Sequence, residues 1–345
     1  MTKSTLPVSD RRAPGAHREH ARDQDACDQD GRAHDAQAAD PDRRSTLGAA
    51  GVAAGAAVAM PVAAVQAARP RQWPKNLLVF AAPLAAASLG RDDGLGYALV
   101  AFAAFTAASS AVYLTNDVMD VERDRQHPVK RLRPVAAGRL PLPAAITLAG
   151  IGLALAVLAS IIIREPLLAA VIGTYVAFSL LYSAGLKHVP GVELAFVAAG
   201  FVLRAIGGAV ATHVPPSAWF LTVCSLGALM VAIGKRYGEL AELGERASAH
   251  RPVMRWYRLP ALRTAQRGAL GMMLAAYLLW ALSASTMWMR VWHVASALPL
   301  AVALLRFDRL TGREAGRPVE DLISRDPVML GSELGWLVLF VAGLS

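Results

Sequence analysis

The sequence predicts an all-α integral membrane protein, a bundle of about nine transmembrane helices, and three observations carry that expectation. Of 345 residues, 55% are hydrophobic and only 18% charged, with a mean hydropathy of +0.39, a balance that a water-soluble enzyme does not reach. Apolar runs of helix-forming residues recur along the chain from Asn76 onward. The bases, which give the chain its net charge of +9, fall in alternate connections between those runs. Two cysteines, Cys27 in a polar stretch and Cys224 in an apolar one, exclude a disulfide framework and a cysteine-built metal site.

Residues 1–45 carry 8 Lys and Arg against 9 Asp and Glu and show no apolar periodicity. Such a segment cannot bury enough surface to offset its ordering entropy, so a disordered tail is expected. Its recurring Asp residues also exclude a secretory signal. The Ala-rich stretch 46–68 contains Pro61 and no Leu, Ile or Phe after Leu47. Alanine is nearly neutral toward a bilayer, so this stretch reads as a linker or interfacial helix, with an extra span as the alternative. The transmembrane domain occupies 69–345.

A hydrocarbon core of ~30 Å needs ~20 helical residues. Nine runs qualify or nearly so: Asn76–Leu89, Leu95–Thr115, Pro143–Ile163, Pro166–Tyr182, Val192–Thr212, Ala218–Ile233, Gly268–Thr286, Trp292–Leu305 and Leu334–Leu344. The first, eighth and ninth are short for a span. With the start of the first run placed in the cytoplasm, the inside connections carry 23 Lys and Arg and the outside ones carry Arg91, Arg164 and Arg290. That asymmetry predicts a multi-pass protein whose polar loops face the cytoplasm, and the inner (plasma) membrane is the expected location.

Those loops hold the chemistry. In Tyr113-Leu-Thr-Asn-Asp-Val-Met-Asp-Val-Glu-Arg-Asp-Arg-Gln-His-Pro, Asn116, Asp120 and Asp124 recur at i, i+4 and i+8. On a continuous helix that spacing stacks them along one face, with Asp117 within i+3 of Asp120. Like charges so placed repel, and a divalent cation removes the repulsion. Oxygen ligands without His or Cys suit Mg²⁺, so Asn116, Asp117, Asp120 and Asp124 form the expected metal set. The nearby Lys130, Arg131, Arg133 and Arg139 suit a metal-bound phosphate anion; acids that merely pair with Arg123 and Arg125 are the bland alternative.

Asn116-Asp-Val-Met-Asp-Val-Glu-Arg-Asp124 resembles the NDxxDxxxD signature of the UbiA superfamily of intramembrane prenyltransferases, nine-helix bundles around a central cavity. Four further segments resemble its decaprenyl-phosphate phosphoribosyltransferase branch: Arg69-Pro-Arg-Gln-Trp-Pro-Lys-Asn76, Asp124-Arg-Gln-His-Pro-Val-Lys-Arg-Leu-Arg-Pro-Val-Ala-Ala-Gly138, Tyr182-Ser-Ala-Gly-Leu-Lys-His188 and Gly234-Lys-Arg-Tyr-Gly-Glu-Leu240. The similarity runs from about Arg69 to the C-terminus. Many members carry a second aspartate-rich motif after the fourth span. Here that loop holds the single acid Glu193 together with Lys187 and His188.

The resemblance implies transfer of the 5-phosphoribosyl group from phosphoribosyl diphosphate to a polyprenyl (decaprenyl) phosphate, for cell-wall arabinan precursors, with Mg²⁺ as cofactor and no nucleic-acid partner. Asp117, Asp120, Asp124 and Lys187 would be catalytic, and Lys187 suits a donor with an extra phosphate. Lys75, Asn76, Lys130, Arg131, Arg133, Tyr182, Lys235 and Arg236 would bind substrate. Two alternatives remain: an ordinary prenyl transfer from a prenyl diphosphate to an aromatic or other acceptor, and a transporter whose acids bind ions. Prenyl length and oligomeric state stay open. Arg204, ~18 Å into the fifth run, needs a buried partner or a lipid phosphate and is left outside the catalytic set.

Overall fold

The computed structural model describes residues 60–91, 93–314, 317 and 319–344, so the expected tail 1–45 and most of the Ala-rich stretch lie outside the described residues. Residues 60–68 are helical and lead into Arg69. Their Ala63 and Ala67 are buried against Leu114, Leu140 and Ala145, while Met60, Val62 and Val65 are exposed.

Every regular element among the described residues is helical. A 3₁₀ segment Pro70–Phe80 runs into α1 (Ala81–Ala85). Then come α2 (Gly94–Met119), α3 (Val121–Gln126), α4 (Leu142–Ile162), α5 (Pro166–Ala184), α6 (Val192–Ala211) and α7 (Ala218–Leu243). The single-turn α8 (Ala247–His250) precedes α9 (Leu259–Leu282), α10 (Met287–Arg313), α11 (Val319–Arg325) and α12 (Pro327–Ala342). All nine apolar runs lie on helical chain for most of their length; 86–89 of the first, 283–286 of the seventh and the last one or two residues of three others fall outside it. Among the described residues six helices are long and apolar enough to cross a membrane: α2, α4, α5, α6, α10 and the stretch Ala218–Arg246 that α7 opens. The count of nine spans is therefore not reached by length and hydropathy.

The first run departs from the expected α-helix for a local reason. Pro70 and Pro74 lack N–H groups, and the chain tightens to 3₁₀ through Phe80. Of the run only Asn76–Phe80 is 3₁₀, and at ~2.0 Å rather than ~1.5 Å per residue those residues add ~2–3 Å to its reach. The ends of other helices outrun the apolar pattern. α7 continues ten residues past Ile233, and α10 extends from Leu305 to Arg313. Apolar residues mark the hydrocarbon, whereas backbone hydrogen bonding carries a helix on beyond it.

Packing is inverted relative to a soluble bundle. On α4 the residues turned inward are Ala145, Ala149, Ala156 and Ala159, and those turned out include Ile146, Leu155, Ile161 and Ile162. Small residues let helix backbones approach, and large aliphatic chains face lipid at no cost. Close approach is marked at Gly207 and Gly208 of α6. A Cβ on Gly208 would lie 1.7 Å from the Val79 carbonyl oxygen, and one on Gly207 would lie 2.2 Å from the Phe105 ring. α6 thus wedges between the 3₁₀ segment and α2. Ser217, Thr286 and Asp326 cap α7, α10 and α12 by accepting from the N–H groups of Phe220, Met289 and Met329.

Candidate active site

Three connections meet at one end of the bundle: α2–α4, α5–α6 and α7–α9. The junction of α2 and α3 sits at Asp120, whose φ of −98° and ψ of 5° leave the α region. Asn116, Met119, Asp120 and Arg123 from that junction line a cavity of about 240 Å³, and Ser183, Ala184, Lys187 and His188 from the end of α5 and the following 3₁₀ turn form its other wall. The structure thereby brings Asn116, Asp120 and Lys187 together across more than sixty residues of sequence. Arg123, Ser183 and His188 join them on the wall.

The expected four-ligand set divides in two. Asp117 and Asp124 turn away from the cavity and are buried. Asp117 accepts from Arg69 Nη2 and, at 3.2 Å, from Arg133 Nη1; the same Nη1 lies 2.6 Å from Asp124 Oδ2. Helical arithmetic explains the division. Residues seven apart differ by about 20° around a helix and those eight apart by about 80°, so Asp124 aligns with Asp117 better than with Asn116. Among the described residues no three His, Cys, Asp or Glu side chains converge closely enough to hold a metal ion.

Of the wall residues, Asn116 has a buried Oδ1 with no hydrogen-bond partner among the described residues, and Asp120 Oδ1 accepts from the exposed Arg123 at 2.6 Å. A buried carbonyl oxygen without a donor is costly. It and the neighbouring carboxylate are hard oxygen donors of the kind that take Mg²⁺ together with water and phosphate. The residues present fit a divalent cation at Asn116 and Asp120.

Other expected substrate-binding residues are placed differently. Asn76 is fully buried. Its Oδ1 accepts from Arg204 Nε at 2.7 Å, and its Nδ2 donates to Thr106 Oγ1 at 3.0 Å. Arg204 also donates to Tyr175 Oη at 3.0 Å and to the Gly200 carbonyl, which supplies the buried partner its depth demands. Asn76 is thus engaged inside the bundle and does not line the cavity. Arg236 is likewise buried and engaged: Nε donates to Glu193 at 2.7 and 2.9 Å, and Nη1 to Glu239 at 2.7 Å. Glu193 has no exposed surface and is occupied by arginines, so it does not replace a second acidic motif. Tyr182 Oη accepts from Arg236 and from Arg251. Lys75 Nζ donates to Gln72 Oε1 at 2.6 Å. Lys130 and Arg131 are exposed on a 3₁₀ turn and Lys235 is exposed on α7; none of the three lines the cavity. Arg251 and Tyr257 reach this end from the α7–α9 connection and are not singled out by the sequence, because Arg251 is one base among eight between Lys235 and Arg267 and Tyr257 lies in no motif.

Comparison with known proteins follows the same lines. Residues 76–320 match the UbiA prenyltransferase family. A decaprenyl-phosphate phosphoribosyltransferase of Mycobacterium tuberculosis is 41% identical over 286 residues, covering 81% of this chain and 94% of the relative. One from Mycolicibacterium smegmatis is 40% identical, covering 79% and 89%. Among solved structures, a UbiA homolog from Archaeoglobus fulgidus bound to GPP and Mg²⁺ superposes with a TM-score of 0.60 at 15% identity, over 81% of this chain and 98% of that one. The latter likeness concerns the fold alone.

Proposed function

The chain belongs to the UbiA prenyltransferase family, and from that membership we propose that it transfers the 5-phosphoribosyl group of phosphoribosyl diphosphate to a polyprenyl phosphate, releasing diphosphate. The observation that carries the proposal is the 41% identity, over nearly the whole relative, to an enzyme named for that reaction. The protein is a multi-pass membrane protein. We place its site on the cytoplasmic side of the plasma membrane, and the Lys and Arg excess of the inside connections supports that orientation.

In the reaction, an oxygen of the lipid phosphate bonds to C1 of the ribose. The bond from C1 to the diphosphate oxygen breaks, and the diphosphate leaves with the electron pair. A phosphate monoester is already anionic near neutral pH, so the attack requires no strong general base. Asn116 and Asp120 would hold Mg²⁺, which when bound neutralises charge on the departing diphosphate. Lys187 and His188 face Asn116 and Asp120 across the cavity; the Lys187 ammonium supplies positive charge, and the His188 ring can add a hydrogen bond, for the donor's phosphates. Asp117 and Asp124 act indirectly, by fixing Arg69 and Arg133 beside the junction. The walls align the two substrates and exclude water that would hydrolyse the donor.

The lipid is decaprenyl phosphate in this reading, and the product serves cell-wall arabinan synthesis. Membranes containing the protein, given labelled phosphoribosyl diphosphate and polyprenyl phosphate with and without Mg²⁺, should move label into the lipid phase only when the metal is present. Lipid-phase product formed from a prenyl diphosphate instead would assign ordinary prenyl transfer.

A further inference from the structure

The loop between α5 and α6 bears Lys187 and His188, and its conformation is imposed from elsewhere. Its own sequence is permissive: Gly185 opens it, and Gly191 closes it at φ 76°, a left-handed value that suits glycine. Two side chains from the connection between α7 and α9 hold both ends. Arg251 Nη1 donates to Tyr182 Oη at 3.0 Å on the near side and to Glu193 Oε2 at 3.1 Å on the far side. Tyr257 Oη accepts from the Gly191 N–H at 2.9 Å. The holding segment is itself anchored, since Val253 and Met254 are buried with Ala247 against Leu240 and Leu243.

These bonds differ in what they can contribute. Glu193 is already neutralised by Arg236 at 2.7 Å, so Arg251 is not needed to compensate a buried charge. Arg251 keeps 31% of its side chain exposed, and Tyr257 is part-exposed. What the two residues add is a fixed span from Tyr182 to Glu193, within which lie the four residues of that cavity wall. Neither Arg251 nor Tyr257 lines the cavity.

We propose that Arg251 and Tyr257 are positioning residues that set the Lys187–His188 wall at the distance from Asn116 and Asp120 that the donor's phosphates require. The assignment rests on the phosphoribosyl-transfer reading for its substrate and on the hydrogen bonds alone for the tether. Acting through the wall, the two residues govern binding of the phosphate-rich donor and leave the lipid acceptor's affinity alone.

The test uses the full-length protein in detergent and in membranes, with Arg251→Ala, Arg251→Lys and Tyr257→Phe. Loss of a charged hydrogen bond at both ends of the loop should raise the Michaelis constant for phosphoribosyl diphosphate about tenfold or more in Arg251→Ala. The constant for polyprenyl phosphate should stay within about twofold. Arg251→Lys should recover part of the loss, because a single ammonium can still donate to both oxygens. In the double variant Arg251→Ala/Lys187→Ala the donor effect should not exceed that of Lys187→Ala alone, since one residue works through the other. Independently of any substrate, Tyr257→Phe should speed hydrogen exchange at residues 186–191 while leaving α10 unchanged.

Additive effects in the double variant, or an equal rise in both Michaelis constants, would overturn the positioning role. Unchanged exchange at 186–191 in Tyr257→Phe would overturn the tether. If the wild-type protein forms no labelled lipid from phosphoribosyl diphosphate, yet Tyr257→Phe still loosens 186–191, the substrate assignment falls and the tether stands.

Discussion

Replacing Asp120 by asparagine removes one charge from the cavity wall while keeping the side chain's size. Its structural cost should be small. The carboxylate's ion-pair partner is Arg123, whose side chain is 74% exposed, and pairs of that kind contribute ~0–1 kcal/mol. The catalytic cost should be large, because with Asn116 it forms the oxygen pair proposed to hold Mg²⁺ against the leaving diphosphate. By analogy with deletion of one transition-state electrostatic group, ~2.7–4 kcal/mol is lost, about two orders of magnitude or more in turnover. Asp117→Asn should behave in the opposite way. Asp117 is 2% exposed, and its loss of charge leaves Arg69 and Arg133 short of an acceptor. Breaking such a pair costs ~3 kcal/mol of stability, the low end of the usual range because both arginines keep about a third of their surface in solvent. Turnover across a Mg²⁺ titration and melting temperature in detergent, measured on both variants at equal expression, separate the two roles. Near wild-type turnover of Asp120→Asn at saturating Mg²⁺ would refute the metal assignment. An Asp120 variant as unstable as the Asp117 variant would refute the division of the motif into cavity and anchor pairs.

Lys187→Ala should raise the Michaelis constant for phosphoribosyl diphosphate far more than that for the lipid, with Lys187→Arg only a partial rescue because the fork geometry differs; equal effects on both substrates would reduce Lys187 to a general cytoplasmic charge. Gly208→Ala should destabilise the bundle by ~1–3 kcal/mol or more, since its Cβ meets the rigid Val79 carbonyl, whereas Gly150→Ala on α4 enters open space and should leave the melting temperature unchanged. Asp326, ahead of α12, has its carboxyl held below the usual carboxylate range by the Arg306 guanidinium, then by the Met329 N–H. Its stabilisation is complete above the unfolded value near ~4 and is lost as pH falls through the lower folded value. The melting-temperature gap between the wild-type protein and Asp326→Asn should therefore close on acidification below pH ~4, and a gap that widens there would contradict the pairing.

Fold class and approximate helix positions were legible in one dimension because each depends on local composition, and the family was legible through the resemblance of short motifs. Hydrocarbon thickness sets the length of an apolar run, and loop charge alternates regardless of how the helices pack. The Asn116–Asp124 motif was legible for a related reason: closely spaced acids at a helix end are unfavourable without a ligand or counter-ion. Which of the two they receive is a tertiary matter. Arg133 follows the motif by nine residues and Arg69 precedes it by nearly fifty, and both reach Asp117 only because the bundle folds the 3₁₀ segment and the α3–α4 connection against the end of α2. The sequence equally could not show that Asn76 and Arg236 have internal partners. A polar side chain beside a basic motif reads the same whether it faces a cavity or an internal partner, and here Arg204 and Glu193, more than forty residues away in each case, claim them. The pairing of Arg251 with Tyr182 and of Tyr257 with Gly191 belongs wholly to the tertiary structure. Hydropathy and charge spacing report a residue's relation to solvent and to its neighbours within a turn or two, whereas these bonds join connections that only helix packing brings to the same end of the bundle.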